Sequence, residues 1–318
     1  MTTAQGISTA WILLGATLGG ILGVYVPITG PMLIGIQWGL LALMVFLVVV
    51  SLPLLSVGRA IAKPPVLIAL FSLNLLVVPL VAFVLSRFVW QVPALQVGLL
   101  LVLLAPGVAL SLTTAAQAGG DVESVLGAKP LLFLGQLVVV PLYTVFLSGG
   151  VLGFSDLPDT FLVIASVIFA PSVLALALQG AMVVSPAIAQ TRNFLVGARV
   201  PIIATAVAVV TWNQVPAHLG ELEALLRTVP LFFSFLVLLA PLGLLAGILS
   251  SLSSAEKRAI MIVGAGRGGV IMLPISLALD PEVWGLVPLV VITQLCIEVL
   301  GMMVYRTIVP EIVPTDSR

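Results

Sequence analysis

Charged side chains are scarce in this chain: 8% of its 318 residues, with twelve basic and twelve acidic groups that cancel to zero. Soluble domains carry roughly a quarter, so a water-exposed globular fold is excluded. The balance leaves no basic face for nucleic acid and no acidic tail for a soluble partner. A single cysteine, Cys296, excludes an intramolecular disulfide, and a single histidine, His218, leaves no Cys/His cluster at metal-ligating spacing. Both are read as structural residues. No nucleophile–base pair stands out either, so neither an enzyme nor a cofactor is expected. What the chain has in excess is hydrophobicity, 61% of residues and a mean hydropathy of +1.32. It reads as an all-α polytopic membrane protein with the lipid bilayer as its main partner.

Runs of about 20 apolar residues bounded by charges or Gly/Pro turns fall at ten places. They are Thr9 to Val26, Met32 to Leu55, Val66 to Phe88, Ala94 to Ala116, Val125 to Ser148, Phe161 to Val183, Phe194 to Trp212, Val229 to Ser251, Arg258 to Leu279 and Trp284 to Ile308. The first follows an uncharged stretch, Met1 to Ser8, and is expected to be a retained helix rather than a cleaved signal. With ten spans, the side of the N-terminus carries Arg59, Lys63, Arg192, Arg199, Lys257, Arg258, Arg306 and Arg318, and the other side only Arg87 and Arg227. Short loops obey the positive-inside rule. Both termini are therefore expected in the cytoplasm, in a bacterial inner membrane or an equivalent one, with the acidic loops Asp156/Asp159, Glu221/Glu223 and Asp280/Glu282 outside.

The two halves, residues 1–150 and 151–318, echo each other. Asp121-Val-Glu123 precedes Gln136-Leu137, and Asp280-Pro-Glu282 precedes Gln294-Leu295, each ahead of the last span of its half. Five spans per half is an odd number, so the second half would be inverted in the membrane. Both halves also carry a helix breaker. Pro106-Gly107 should interrupt the fourth span, because proline removes a donor and glycine loosens the turn, and the hydroxyls of Ser111, Thr113 and Thr114 follow at once. Gly264-Ala-Gly266-Arg267-Gly268-Gly269 should interrupt the ninth. Broken helices lined with polar groups are how secondary transporters build a site at the midplane; a close helix crossing is the alternative for the glycine run.

Three charges fall inside spans: Lys129, Arg267 and Glu298. Each costs about 2.5 to 3.5 kcal/mol at a helix centre and so should face protein or water. Lys129 lies about a turn into its span, where it either reaches the core or snorkels to the surface. Arg267 follows the glycine break, where half-helix amides add a positive end, and suits an anion; the competing reading is an ion pair with Glu298. Glu298 stands four residues after Gln294, on the same helical face, and suits a proton-coupling group.

Leu-Ala-Pro106-Gly107, Ala-Gly-Gly-Asp121 and Leu-Gly-Gln136-Leu resemble the fourth and fifth spans of the arsenite-efflux permeases and bile acid sodium symporters, in the bile acid, arsenite and riboflavin transporter superfamily. Asn74 with Pro79 is similar to the third-span motif of the symporters, and Leu-Cys296-Ile-Glu298-Val to the tenth-span motif of the permeases. The resemblance implies ten transmembrane helices in two inverted five-helix repeats, a panel and a core domain, and helices four and nine broken where they cross. The residues themselves and the resemblance together imply substrate contacts at Pro106, Gly107, Ser111, Thr113, Thr114, Asn74, Gly266, Arg267 and Gly268, and ion coupling at Glu298, Lys129, Gln136 and Gln294. The chain departs from the family where chemistry matters. Gly107 stands where the permeases carry a cysteine, and Ile262 and Gly266 where the symporters supply a glutamate and a glutamine to sodium; Leu112 replaces an asparagine beside Ser111. A hard cation wants about six oxygens, and an ammonium at Lys129 could stand in for it. The expected function is secondary-active transport of a small anion, organic or oxyanion, coupled to protons or independent of sodium. The alternatives are a sodium-coupled symporter of organic acids and a non-transporting receptor or assembly factor.

Overall fold

The computed structural model describes residues 2–28, 30–52, 63–107, 109–154 and 158–314. Arg59, Asp156 and Arg318, counted above among the loop charges, and Leu55, the expected end of the second span, lie outside the described residues. The rest is helical with short connections. α1 is Thr2–Tyr25 and α2 is Pro31–Ser51. α3 (Pro64–Ser72) passes through a π-turn at Leu73–Val77 into α4 (Val78–Ser86). α5 (Pro93–Leu103) and α6 (Ala109–Gln117) are the halves of an interrupted segment, and the short α7 (Val122–Leu126) leads into α8 (Ala128–Leu147). α9 (Pro158–Val163) continues through a second π-turn, Ile164–Phe169, into α10 (Ala170–Val184). α11 (Pro186–Ala189) precedes α12 (Thr191–Gln214), and α13 (Leu222–Leu226) precedes α14 (Thr228–Leu249). α15 (Ser254–Ala265) and α16 (Gly269–Leu277) form the second interrupted segment, and α17 (Pro281–Trp284) leads into α18 (Val287–Ile312).

Helix is present in each of the ten expected segments. Among the described residues seven helical stretches are long and apolar enough to cross a membrane, and Ala10–Tyr25 and Pro93–Leu103 are shorter apolar helices. Several helices begin on proline, at Pro31, Pro64, Pro93, Pro186 and Pro281, where a missing N–H costs nothing and the fixed φ is already helical. Inside a segment proline does the opposite. Pro79 cannot donate back to the preceding turn, the helix widens into the π-turn before it, and the Tyr143 hydroxyl of α8 donates to the Leu75 carbonyl at 3.1 Å.

Two packing groups result. In one, α1 lies along α12, and α2 packs on both α12 and α10. Gln179 of α10 closes this group by donating its side-chain N–H to the carbonyls of Val49 and Leu52 at the end of α2, at 2.9 and 2.7 Å, where a helix leaves carbonyls unpaired. In the other, α14 packs on α15, and α18 packs on α5, α14 and α16. The segment containing α15 and α16 is the most enclosed of the seven, with 94% of its apolar window buried, so its hydrophobicity serves protein packing and not lipid contact.

The α1–α12 contact depends on small residues. A Cβ on Gly15 would lie 2.3 Å from the Ala204 carbonyl oxygen, and one on Gly19 would lie 2.2 Å from that of Ala208. Without a hydrophobic drive between helices in lipid, such backbone approach supplies the van der Waals contact that holds them. The obstacle is main chain and cannot rotate away. Gly19→Ala should therefore cost toward the upper end of the roughly 1–3 kcal/mol typical of overpacking and lower the melting temperature of the purified protein. Gly35→Ala in α2, with no atom within 4 Å of its added methyl, should melt at or above wild type.

Candidate functional site

The chain leaves the helix at both expected places. After α5 it runs non-helical through Pro106 and Gly107 before α6 begins, and after α15 it runs extended at Gly266, with φ −69° and ψ 133°, before α16. The interruptions meet. A Cβ on Gly107 would lie 2.4 Å from the Gly266 carbonyl oxygen, and one on Gly266 would lie 2.5 Å from Ser111 Cβ. Only glycine at both positions lets the two backbones touch.

An interruption inside a membrane frees carbonyls and amides that must find partners within the protein. Each carbonyl here draws on a different side chain. Gln136 Nε2 donates to Leu104 O at 3.3 Å, Arg267 Nη1 to Ala105 O at 3.4 Å, and Lys129 Nζ to Gly107 O at 2.8 Å, with Ser111 Oγ 3.5 Å away. Arg267 Nη2 also donates to Gly264 O, and its guanidinium lies 5.6 Å from the Phe235 ring centre. On the second interruption the Arg267 main-chain N–H donates to Glu298 Oε1 at 2.9 Å, and Gln294 Nε2 to Glu298 Oε2 at 2.9 Å.

Two readings of the charges are corrected. Lys129 does not snorkel: it is 3% exposed and points into the crossing. Arg267 and Glu298 do not form an ion pair within 4 Å among the described residues; the carboxylate takes the arginine's main-chain amide, while the guanidinium spans the carbonyls of both interruptions. Lys129, Arg267 and Glu298 are all within 3% of full burial, so a lysine and an arginine share the crossing with one carboxylate. Ser111 and Thr114 are buried beside it, and Thr114 Oγ1 donates to Leu110 O at 2.9 Å. Thr113 lies on the exposed face of α6 and bonds Leu110 O. Asn74 is buried in the first π-turn and bonds Leu70 O of its own helix at 2.8 Å, next to Leu73, which packs on Gly264.

One end of the crossing is laced by residues whose roles were not anticipated. Ser253 and Glu256 form a capping box at the start of α15, and the spacing Ser-x-x-Glu carries that signal. Lys63 Nζ donates to Glu256 Oε1 at 2.8 Å, Asp121 Oδ2 at 3.0 Å and Ser124 Oγ at 2.6 Å, joining α3, α7 and α15. Arg258, counted above as a loop charge, is buried and donates to Val313 O at 2.7 Å and Ala118 O at 3.2 Å. Asp121 and Asp280 occupy the same local role in the two halves: each caps a short helix ahead of the segment that carries the buried glutamine. Among the described residues no group of three or more His, Cys, Asp or Glu side chains is placed to hold a metal ion.

Residues 39–177 match the Sodium Bile acid symporter family, which supports the resemblance to the bile acid:sodium symporter-like superfamily. The matched stretch contains the first interruption, Lys129 and Gln136, and ends before Arg267 and Glu298. Members of that family are transporters, which supports the expectation that the chain is not an enzyme. No curated protein matches the chain.

The Lys63 network has a pH signature. Hydrogen bonds to Glu256 and then to Asp121 hold the Lys63 ammonium above its ordinary range. Burial would raise the Asp121 carboxyl, but hydrogen bonds from Ser124 and Lys63 outweigh it and hold the group below its ordinary range. A lowered acid stabilises the fold above its unfolded value, near 3.9, and loses that contribution as pH falls through the folded value; a raised base stabilises below about 10.5 and loses it as pH rises further. The melting-temperature gap between wild type and Lys63→Met should be flat from about pH 6 to 9 and narrow below about pH 4. The cluster is solvent-exposed, so the gap should correspond to no more than about 1 kcal/mol.

Proposed function

We propose that this chain, whose family match supports a membrane transporter of the bile acid symporter type, is a secondary carrier of a small anionic solute, coupled to protons or independent of sodium. The observation that carries the reading is the charge at the crossing: Lys129 and Arg267 against a single carboxylate, Glu298, all buried where two interrupted helices touch. The N-terminal ends of α6 and α16 add the positive ends of two half-helices. Pro106, Gly107, Ser111, Thr113, Thr114, Asn74, Gly266, Arg267 and Gly268 are the proposed substrate contacts.

Sodium independence is supported by what faces the first interruption. Lys129 Nζ sits on Gly107 O with Ser111 Oγ beside it, a carbonyl and hydroxyl set that would otherwise suit a small cation, and Ile262 and Gly266 bring no side-chain oxygen. Proton coupling is supported by Glu298, which accepts through both oxygens. A protonated carboxyl must donate from one of them, so binding a proton disturbs either the Gln294 bond or the Arg267 amide at the interruption. The family match alone favours the sodium-coupled alternative. Ten membrane crossings in two inverted repeats, residues 1–150 and 151–318, are part of the proposal, supported by the two interruptions and the paired Asp caps. So are a panel of α1, α2, α9–α10 and α12 around a core of the other segments, and cytoplasmic termini.

Substrate counterflow in proteoliposomes tests the reading. Replacing sodium by choline should leave flux unchanged, a pH gradient should change it, and Glu298→Gln should abolish the pH response. Arg267→Gln should weaken anion affinity about tenfold or more, the loss of a charge-assisted contact, and Arg267→Lys should recover part of it. A steep sodium requirement would overturn the coupling, and no flux of any anion would favour a receptor.

A further inference from the structure

Three buried polar atoms at the crossing have no hydrogen-bond partner among the described residues: Gln136 Oε1, Gln294 Oε1 and Arg267 Nε. An unmade hydrogen bond on a buried group leaves its desolvation uncompensated, so each such atom asks for an explanation. While Glu298 is ionised, neither amide can be turned to remove the problem. Gln136 Nε2 faces the Leu104 carbonyl and Gln294 Nε2 faces a Glu298 carboxylate oxygen, both acceptors only, and reversing either amide would set two acceptors against each other. Each carbonyl oxygen is thereby directed to the other side of its amide. Gln294 Oε1 faces the start of α16, 2.8 Å from where a Cβ on Gly269 would stand. Gln136 and Arg267 bond the consecutive carbonyls of Leu104 and Ala105. All three atoms therefore border the same pair of interruptions, and the glutamines come from corresponding places in the two halves of the sequence.

The set is one donor on a cation and two neutral acceptors. A bare carboxylate offers acceptors only; it would satisfy Arg267 Nε and leave both amide oxygens as they were. We propose that the crossing takes a small carboxylate that carries a hydroxyl or ammonium group next to the charge, with an anionic oxygen on Arg267 Nε–H and the neighbouring donor shared between Gln136 Oε1 and Gln294 Oε1. This rests on the reading of the crossing as an anion site and narrows its substrate to hydroxy and amino acids. Discrimination then follows from the protein's own unpaired groups: a ligand without the donor leaves them buried and unsatisfied, which is how a polar site rejects the analogue that lacks the matching group.

Matched pairs test it on the purified full chain: lactate against propionate, malate against succinate, and alanine against propionate, each titrated for stabilisation against heat. The donor-bearing member is expected to act at about tenfold lower concentration or less, the equivalent of one buried hydrogen bond regained. Gln136→Met and Gln294→Met, which keep side-chain length and lose the acceptor, should bring the ratio toward one. Equal action of both members of every pair on wild type, with Arg267→Gln weakening both, would overturn the inference and leave the anion site standing. Absence of stabilisation by either member of all pairs would overturn both. Should a methionine variant fail to fold, the wild-type ratio decides alone.

Discussion

A main chain in hydrocarbon has nowhere to send an unpaired carbonyl or amide except to its own protein. Two helical segments in this chain are interrupted, and the structure around them answers that constraint. Glycine meets glycine so that the backbones close on each other. Gln136, Arg267 and Lys129 cover Leu104, Ala105 and Gly107, and Glu298 covers the Arg267 amide. The buried charges are also the groups that complete the main chain. On the proposed reading, binding is not separate from folding: a ligand that pulled Arg267 or Lys129 off its carbonyl would have to compensate that carbonyl or move the segment.

The interruptions themselves were legible because their causes are local. Pro106-Gly107 and the glycine run at 264–269 act through a missing donor and a missing side chain, whatever surrounds them. The rarity of charge made Lys129, Arg267 and Glu298 visible for the same reason. Their partners were not legible, because partnership depends on the rotation of each helix and on which segment crosses which. Lys129 sits close enough to its helix end to snorkel, yet its face of α8 turns toward Gly107. Arg267 and Glu298 attract as charges, but the extended backbone at Gly266 presents the amide of residue 267 to the carboxylate before the guanidinium can reach it. Thr113, one residue from Thr114, is exposed where Thr114 is buried, a distinction that needs the helix phase.

Other features carried signals that went unused. Ser253-Ser-Ala-Glu256 is a capping box in plain sequence and moves the start of α15 ahead of the position where hydropathy begins. Gly15, Gly19 and Gly23 recur at four-residue spacing, the mark of a tight helix contact, although the facing Ala204 and Ala208 could come only from the structure. Arg258 lay near the edge of a hydrophobic run and counted toward orientation; it is buried against Ala118 and Val313, where a Cβ on Gly119 would lie 2.8 Å from its Nη1.

Lys129 has a consequence for energy conversion. An ion bound from solution enters and leaves with each cycle and carries its charge across; an ammonium fixed to the backbone does neither. If the chain is the anion carrier proposed above, with Lys129 as its tethered cation, it moves the anion's charge through the membrane unescorted unless Glu298 carries a proton in the same step. One elementary charge is worth about 2.3 kcal/mol per 100 mV. With a negative cell interior, that field drives an anion outward and opposes its accumulation, so under the proposed anion-carrier reading a fixed lysine would favour export in an electrogenic cycle.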